Sequence, residues 1–207
     1  MKTASPSTSG QDLNTGMLKT PFSIGNTACP IYNGAILASE NGVIVVSADH
    51  RLNIFGFPGA PSVDANLGLL DKRLTLEWTS ENIKAFGGDP DRIIILGQSA
   101  DGVSVDMMAY AYPDNPIAHA IISHSGVASS GVGAGARKSA MAMNWNKASS
   151  NAGCDNETVD ASASMACMRT TTTEEILAAV IPIARSSLAS GFGSVVDERR
   201  HNKIMLA

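Results

Sequence analysis

Hydrophobic positions along the chain follow two rhythms. Ile93-Ile94-Ile95-Leu96 is a run of four apolar residues, three of them β-branched, and it predicts a strand buried on both faces of a parallel sheet. Val43-Ile44-Val45-Val46-Ser47 and Ala120-Ile121-Ile122-Ser123 are shorter versions of the same signal. Between these runs the period lengthens. Leu70, Leu74, Trp78 and Phe86 fall along one side of a helix predicted over 69–86, which Gly87-Gly88-Asp89-Pro90 stops. After Ala100, the positions Val103, Met107 and Tyr110 recur three or four apart, as on one helix face. Residues 43–126 therefore alternate strand, helix, strand, helix, strand, which demands a parallel sheet with right-handed crossovers. The fold class is α/β.

The flanks carry weaker patterns. Residues 1–20 are rich in Ser, Thr and Gly without an apolar period, so a disordered or irregular lead-in is expected. Gly25, Pro30, Asn33-Gly34 and Asn41-Gly42 predict loops around a short helix at Ala35–Ser39. Residues 51–68, with Gly56, Pro58, Gly59, Pro61 and Gly68, are expected to form a long loop. Beyond Gly126, helices are predicted near Arg137–Asn151 and Glu174–Ile183. No repeat or linker divides the chain.

At 207 residues with 44% hydrophobic and 16% charged positions, the chain can bury one good core. A net charge of −4 gives no electrostatic case for nucleic acid or for acidic membrane surfaces. No apolar run approaches the length of a membrane span, and the polar N-terminus lacks the hydrophobic core of a signal peptide. No His/Cys/Asp spacing points to a metal, and nothing implies a cofactor. The oligomeric state has no signature in the sequence.

Chemistry concentrates where the best strand meets a helix, at Gly97-Gln98-Ser99-Ala100-Asp101-Gly102. A strand, a tight turn with a serine at its tip and a helix form a nucleophile elbow, which holds the hydroxyl proud of the sheet. The N–H of Ala100 then points to where an oxyanion would develop. An elbow ordinarily ends in glycine at the position that Asp101 occupies. An aspartate there must shift the backbone or find a partner, at roughly 1–3 kcal/mol. Its carboxylate would also oppose negative charge on a substrate oxygen.

Three flanking runs identify a family. Asn66-Leu67-Gly68-Leu69-Leu70-Asp71-Lys72-Arg73, Glu81-Asn82-Ile83-Lys84-Ala85-Phe86-Gly87-Gly88-Asp89-Pro90-Asp91-Arg92 and Gly97-Gln98-Ser99-Ala100 closely resemble type-B carboxylesterases, the cholinesterase-like lineage that includes fungal esterases. Asp49-His50-Arg51-Leu52-Asn53 resembles that family's Asn-Tyr-Arg-Leu segment, with changes at Asp49 and His50. The resemblance implies a partial α/β-hydrolase fold over 22–207, a mostly parallel sheet flanked by helices, with 1–21 not matching. It implies cleavage of small-molecule carboxylic esters, with Ser99 as nucleophile and the Ala100 N–H as one oxyanion donor. Gln98 sits where many members carry Glu.

The same comparison raises doubts about catalysis by this chain. Leu18-Lys19-Thr20-Pro21 stands where the family's His-Gly-Gly-Gly loop is expected, and Pro21 has no N–H to give. One lost oxyanion donor commonly costs about 2.7–4 kcal/mol of transition-state stabilisation. Family members are more than twice as long, so the chain resembles an internal slice whose catalytic acid and histidine would lie beyond Ala207. Asp197 and His201 occur in the right order, but a four-residue spacing puts both on one short segment. His119 and His124 flank the third strand and are expected to be packed or on the surface, and His50 to be structural. Cys154 and Cys167 align with a disulfide loop of the family, which would stabilise by roughly 3 kcal/mol. That pairing implies an oxidising, secretory setting. Cys29 is left as a buried free thiol. Two further readings stand beside the esterase: a non-catalytic cholinesterase-like binding domain, and a truncated gene product.

Overall fold

A computed structural model describes residues 7–8, 25–61, 63–129, 138–154, 161–186 and 191–195. The parallel sheet is formed by β1 (Ser7–Thr8), β2 (Ser47–Ala48), β3 (Ile94–Gln98) and β4 (Ala120–His124), in the order β2-β1-β3-β4 with every described pair parallel. The helices are α1 (Ala35–Asn41), α2 (Asn53–Gly56), α3 (Leu67–Asn82), α4 (Ala100–Ala111), α5 (Lys138–Asn151), α6 (Ala161–Met168) and α7 (Thr173–Ser186), of which α4 packs on β3 and β4. This is the α/β architecture expected from the alternation of periods.

Several elements depart from expectation. Ser7–Thr8 lies in the stretch expected to be irregular, yet its backbone pairs with Ser47, Ala48 and Leu96. A gap between two parallel strands offers unpaired N–H and C=O groups on both sides, so backbone bonding can place a strand without any apolar signal. Among the described residues, the Val43–Ser47 run enters the sheet at its last residue, in β2, and Val45 and Val46 are buried before it. In β3, Ile95 and Gly97 are buried whereas Ile94 and Gln98 are exposed, so the strand is covered on one face rather than both. Ile121 and Ile122 of β4 are exposed as well.

Helix α3 reverses its expected orientation. Leu74, Trp78 and Phe86 stand exposed, while Leu69, Lys72, Arg73, Leu76 and Thr79 face inward. The charged residues can turn in because each finds a partner. The Arg73 guanidinium donates to Glu77 Oε1 at 2.7 Å and to the Asn115 carbonyl at 2.6 Å, and it stacks 4.3 Å over the Tyr112 ring. Lys72 meets Asp101, as described below.

Helix α4 occupies the middle of the molecule. Val103 and Met107 join a core with Phe57, Leu69, Trp145, Val180 and Phe192, while Val105 and Met108 join a second core with Leu76, Ile93 and Ile95. Tyr110, expected on the buried face, is exposed near the helix end. The 51–68 loop is not peripheral, since α2 and the fully buried Phe57 line the main core. Both C-terminal helices form as expected. Helix α7 starts with a capping box in which Thr172 N–H donates to Glu175 Oε2 at 2.9 Å and Glu175 N–H to Thr172 Oγ1 at 3.3 Å.

The Cys154–Cys167 disulfide is formed, with the Cα atoms 5.6 Å apart. Cys167 lies on α6, so this bridge ties the end of α5 to a helix that the sequence pattern did not suggest. Cys29 is a free thiol, half-buried rather than fully buried.

Candidate active site

The turn between β3 and α4 has the backbone geometry of a nucleophile elbow. Ser99 has φ 57° and ψ −118°, a conformation that non-glycine residues adopt at a cost of roughly 1–3 kcal/mol. Two backbone hydrogen bonds hold it there. The Ser99 N–H donates to the His124 carbonyl at 2.8 Å, and the Ser99 carbonyl accepts from the Val103 N–H at 3.0 Å. The Ser99 side chain remains half-exposed at the carboxyl end of the sheet. Ala100 is buried at the first position of α4. Its N–H therefore belongs to the helix turn that has no intrahelical acceptor, at the positive end of the helix dipole.

The turn needs close approach between backbones. A Cβ at Gly97 would overlap the Asp101 carbonyl group and come within 2.8 Å of the Gly102 nitrogen. One at Gly102 would lie 2.9 Å from the Gly126 carbonyl oxygen and 3.0 Å from that of His124. On the neighbouring strand, Ser123 Oγ donates to the Gly126 carbonyl, and Ser125 also adopts a positive φ of 55°. The register pairs Gln98 with His124, so the two strained serines lie at the same end of adjacent strands. Gln98 itself is exposed.

Asp101 takes the second course expected of it, and finds a partner. Its Oδ1 accepts from Lys72 Nζ at 2.7 Å, with both side chains at least 96% buried (3% and 4% exposed). Burial holds the Lys72 ammonium below its ordinary pKa, against the attraction of Asp101. Beside Lys72 stands His50, lowered from 6.5 to about 3 by burial and then by the Lys72 charge, against the pull of Asp71. Burial opposes ionisation of Asp71, but hydrogen bonds from the Arg51 side chain at 2.6 and 2.8 Å and from its N–H at 2.9 Å hold that carboxyl low. A line of charges thus runs from the 49–51 segment through α3 to the elbow. Asp49 belongs to a separate contact, accepting from the Thr27 N–H and hydroxyl.

Neutral His50 makes stability pH-dependent. Its folded pKa of about 3 lies below the ordinary 6.5, so the unfolded chain takes up this proton first. The contribution is complete above pH 6.5 and is lost as the pH falls toward 3. Thermal melts should show Tm declining across that window, and His50→Gln should flatten the slope. Equal slopes in both proteins would place the loss elsewhere.

The other histidines separate cleanly. His119 precedes β4 at the end of the sheet opposite Ser99, its N–H donating to the Ile93 carbonyl at 2.7 Å. His124 lies beside Ser99 through its backbone carbonyl. Among the described residues, no histidine is hydrogen-bonded to the Ser99 hydroxyl. Leu18–Pro21, Asp197 and His201 lie outside the described residues. Lys72 escaped the motif reading, although its place three residues after Leu69 and four before Leu76 puts it on the buried stripe of α3.

This geometry agrees with comparisons to known proteins. The sequence profile of the Carboxylesterase family matches residues 20–205, and the chain belongs to that family, an ester-hydrolase lineage with the α/β-hydrolase fold. It is 50% identical over 84 residues to a chlorogenic acid esterase of Aspergillus niger, covering 40% of this chain and 16% of that protein. It is 40% identical over 108 residues to mouse cholinesterase, covering 51% of this chain and 18% of that protein. A secreted lipase of Arthroderma benhamiae is 35% identical over 165 residues, 77% of this chain and 29% of that one. The chain thus spans less than a third of the length of each of these relatives. Among the described residues, no helix is long and apolar enough to cross a membrane.

Proposed function

We propose that Ser99 is the nucleophile of a carboxylic-ester hydrolase, acting through an acyl-enzyme. The observation that carries this reading is the left-handed backbone of Ser99 at a strand-to-helix turn, with the Ala100 N–H at the start of α4. Ser99 Oγ would attack the ester carbonyl carbon while its proton passes to a base. The carbonyl oxygen, now negative, would be met by the Ala100 N–H. Collapse of the tetrahedral species expels the alcohol, which takes the proton, and water then releases the acid from the serine.

The chain by itself is expected to be an impaired catalyst, because among the described residues no histidine or carboxylate joins the Ser99 hydroxyl. An aspartate in the elbow and the absence of the glycine loop from the sequence support the alternative of a binding domain without catalysis. The Lys72 partner weakens that reading, since the carboxylate no longer stands uncompensated beside the oxyanion site. The test is covalent capture by a fluorophosphonate, located by peptide mass spectrometry, together with p-nitrophenyl butyrate turnover. Capture at Ser99 in the wild type and none in Ser99→Ala is expected. Equal labelling of the two proteins would reject Ser99 as the nucleophile, and labelling of neither would make this chain a catalytically inert slice of the fold.

A further inference from the structure

We propose that Gly126 is a positioning residue for the oxyanion donor: the turn at the end of β4 sets its backbone against the Ser99 carbonyl and thereby fixes the direction of the Ala100 N–H. The inference rests on the reading of Ser99 as nucleophile. Carbonyl and N–H belong to one planar peptide, Ser99–Ala100, in which a trans bond points them opposite ways. Whatever holds the Ser99 oxygen therefore aims the Ala100 hydrogen. A Cβ at Gly126 would overlap that oxygen and lie 3.0 Å from the Ser99 carbonyl carbon and 3.2 Å from Val103 Cγ2. The φ of Gly126 is not positive, so close approach, not backbone freedom, is what the position demands.

The peptide needs holding. Ser99 has a φ of 57°, where the favoured ψ is about 47°, yet its ψ is −118°. That torsion orients the Ser99–Ala100 peptide, which stands far from the rotation that Ser99 would adopt alone. The Ser99 hydroxyl makes no capping bond to α4 that could compensate. The Ser99 N–H, bonded to the His124 carbonyl at 2.8 Å, fixes the preceding peptide instead. What acts on the Ser99–Ala100 peptide itself is the Val103 N–H, which donates to the Ser99 carbonyl at 3.0 Å, and the Gly126 backbone packed beside it. The turn that carries Gly126 is anchored in its own right. Ser125 takes a positive φ of 55° where the chain turns back toward the elbow. Ser123 Oγ donates to the Gly126 carbonyl, and the Ala128 N–H donates to Asp106 Oδ2 at 2.7 Å, tying the turn to the middle of α4. Gly102 lets turn and helix meet, since a Cβ there would lie 2.9 Å from the Gly126 carbonyl oxygen.

The full chain carrying Gly126→Ala would be compared with the wild type in three ways. The rate of fluorophosphonate capture at Ser99 should fall by about 100-fold, as for a lost oxyanion donor. In uncaptured protein, hydrogen exchange at the Val103 amide should quicken by about tenfold or more. Tyr112, whose N–H donates to the Met108 carbonyl at the other end of α4, should keep its rate. In protein captured to completion, the phosphonyl oxygen should displace the Ala100 amide proton downfield by less than in the wild type. Gly42→Ala is the control for lost stability alone. Gly42 caps α1 at φ 62° with nothing within 4 Å of an added Cβ, so that variant is strained yet should capture at the wild-type rate. Capture by Gly126→Ala within about threefold of the wild type, or slow capture with the Val103 and Ala100 readouts unchanged, would overturn the proposal. If Gly126→Ala does not fold, Ser123→Ala decides. It removes a bond that holds the turn and should slow capture by about 3- to 10-fold with faster exchange at Val103, and wild-type behaviour in both would overturn the proposal. Where wild-type Ser99 resists capture the chain is inert, and the Val103 exchange alone then decides whether Gly126 sets the peptide.

Discussion

Alanine at position 97 should cost the protein about 3 kcal/mol or more and remove the reactivity of Ser99. The cause is local and steric. The added methyl has nowhere to go, since it overlaps the Asp101 carbonyl group and presses on the Gly102 nitrogen at 2.8 Å. Both are backbone atoms of α4, which is gripped by two cores through Val103, Val105, Met107 and Met108. Relief therefore requires either α4 to leave β3 or the turn at Ser99 to open. The first breaks packing on both faces of the helix; the second ends the arrangement that exposes the hydroxyl. Urea unfolding should show a lowered midpoint at unchanged slope, and fluorophosphonate capture should fall in the fraction that stays folded. Wild-type values for both would mean that the elbow tolerates a wider turn than the contacts allow.

The elbow was legible because everything that defines it is local. A β-branched run, Gly97, Ser99 and the spacing of Val103 and Met107 all lie between residues 93 and 107, and the structure forms the strand, turn and helix that they imply. The family resemblance came from equally contiguous runs, and the resemblance in turn implied the Cys154–Cys167 pair. What escaped depends on residues far apart in the chain. Hydropathy assigned the apolar side of α3 to Leu74 and Trp78, whereas the side that packs carries Lys72 and Arg73. Those charges are buried because of Asp101, Tyr112 and Asn115, none of which a helical period can see. The strand at Ser7–Thr8 escaped for a related reason, being held by main-chain pairing rather than by apolar side chains. In β3 the run Ile93–Leu96 looked covered on both faces, but periodicity cannot say whether anything packs on the second.

Asn66 is the long-range contact whose loss should be felt most. Its Nδ2 donates to the Val195 carbonyl at 2.9 Å and its Oδ1 accepts from the Val195 N–H at 2.9 Å, across 129 residues of chain. Asn66 and Val195 are both buried, so truncation to alanine leaves a donor and an acceptor unsatisfied away from water. Each such group costs about 1–3 kcal/mol, and Asn66→Ala should lower stability by about 2–5 kcal/mol. Asn66→Asp should not rescue it, because the carboxylate keeps the bond from the Val195 N–H but sets a charge against the carbonyl. Asn82→Ala is the control: its amide also donates to a carbonyl, that of Trp78 at 2.8 Å, but on an exposed surface where water replaces it at about 0.5 kcal/mol or less. The effect should reach the site as well. Asn66 stands immediately before α3, with its own carbonyl accepting from the Leu69 and Leu70 N–H groups at 3.0 and 3.1 Å, so it fixes the start of the helix that delivers Lys72 to Asp101. Slower Ser99 capture in folded Asn66→Ala, measured with its urea midpoint, would show that the 191–195 segment supports the elbow through α3. A lowered midpoint with unchanged capture would confine Asn66 to stability.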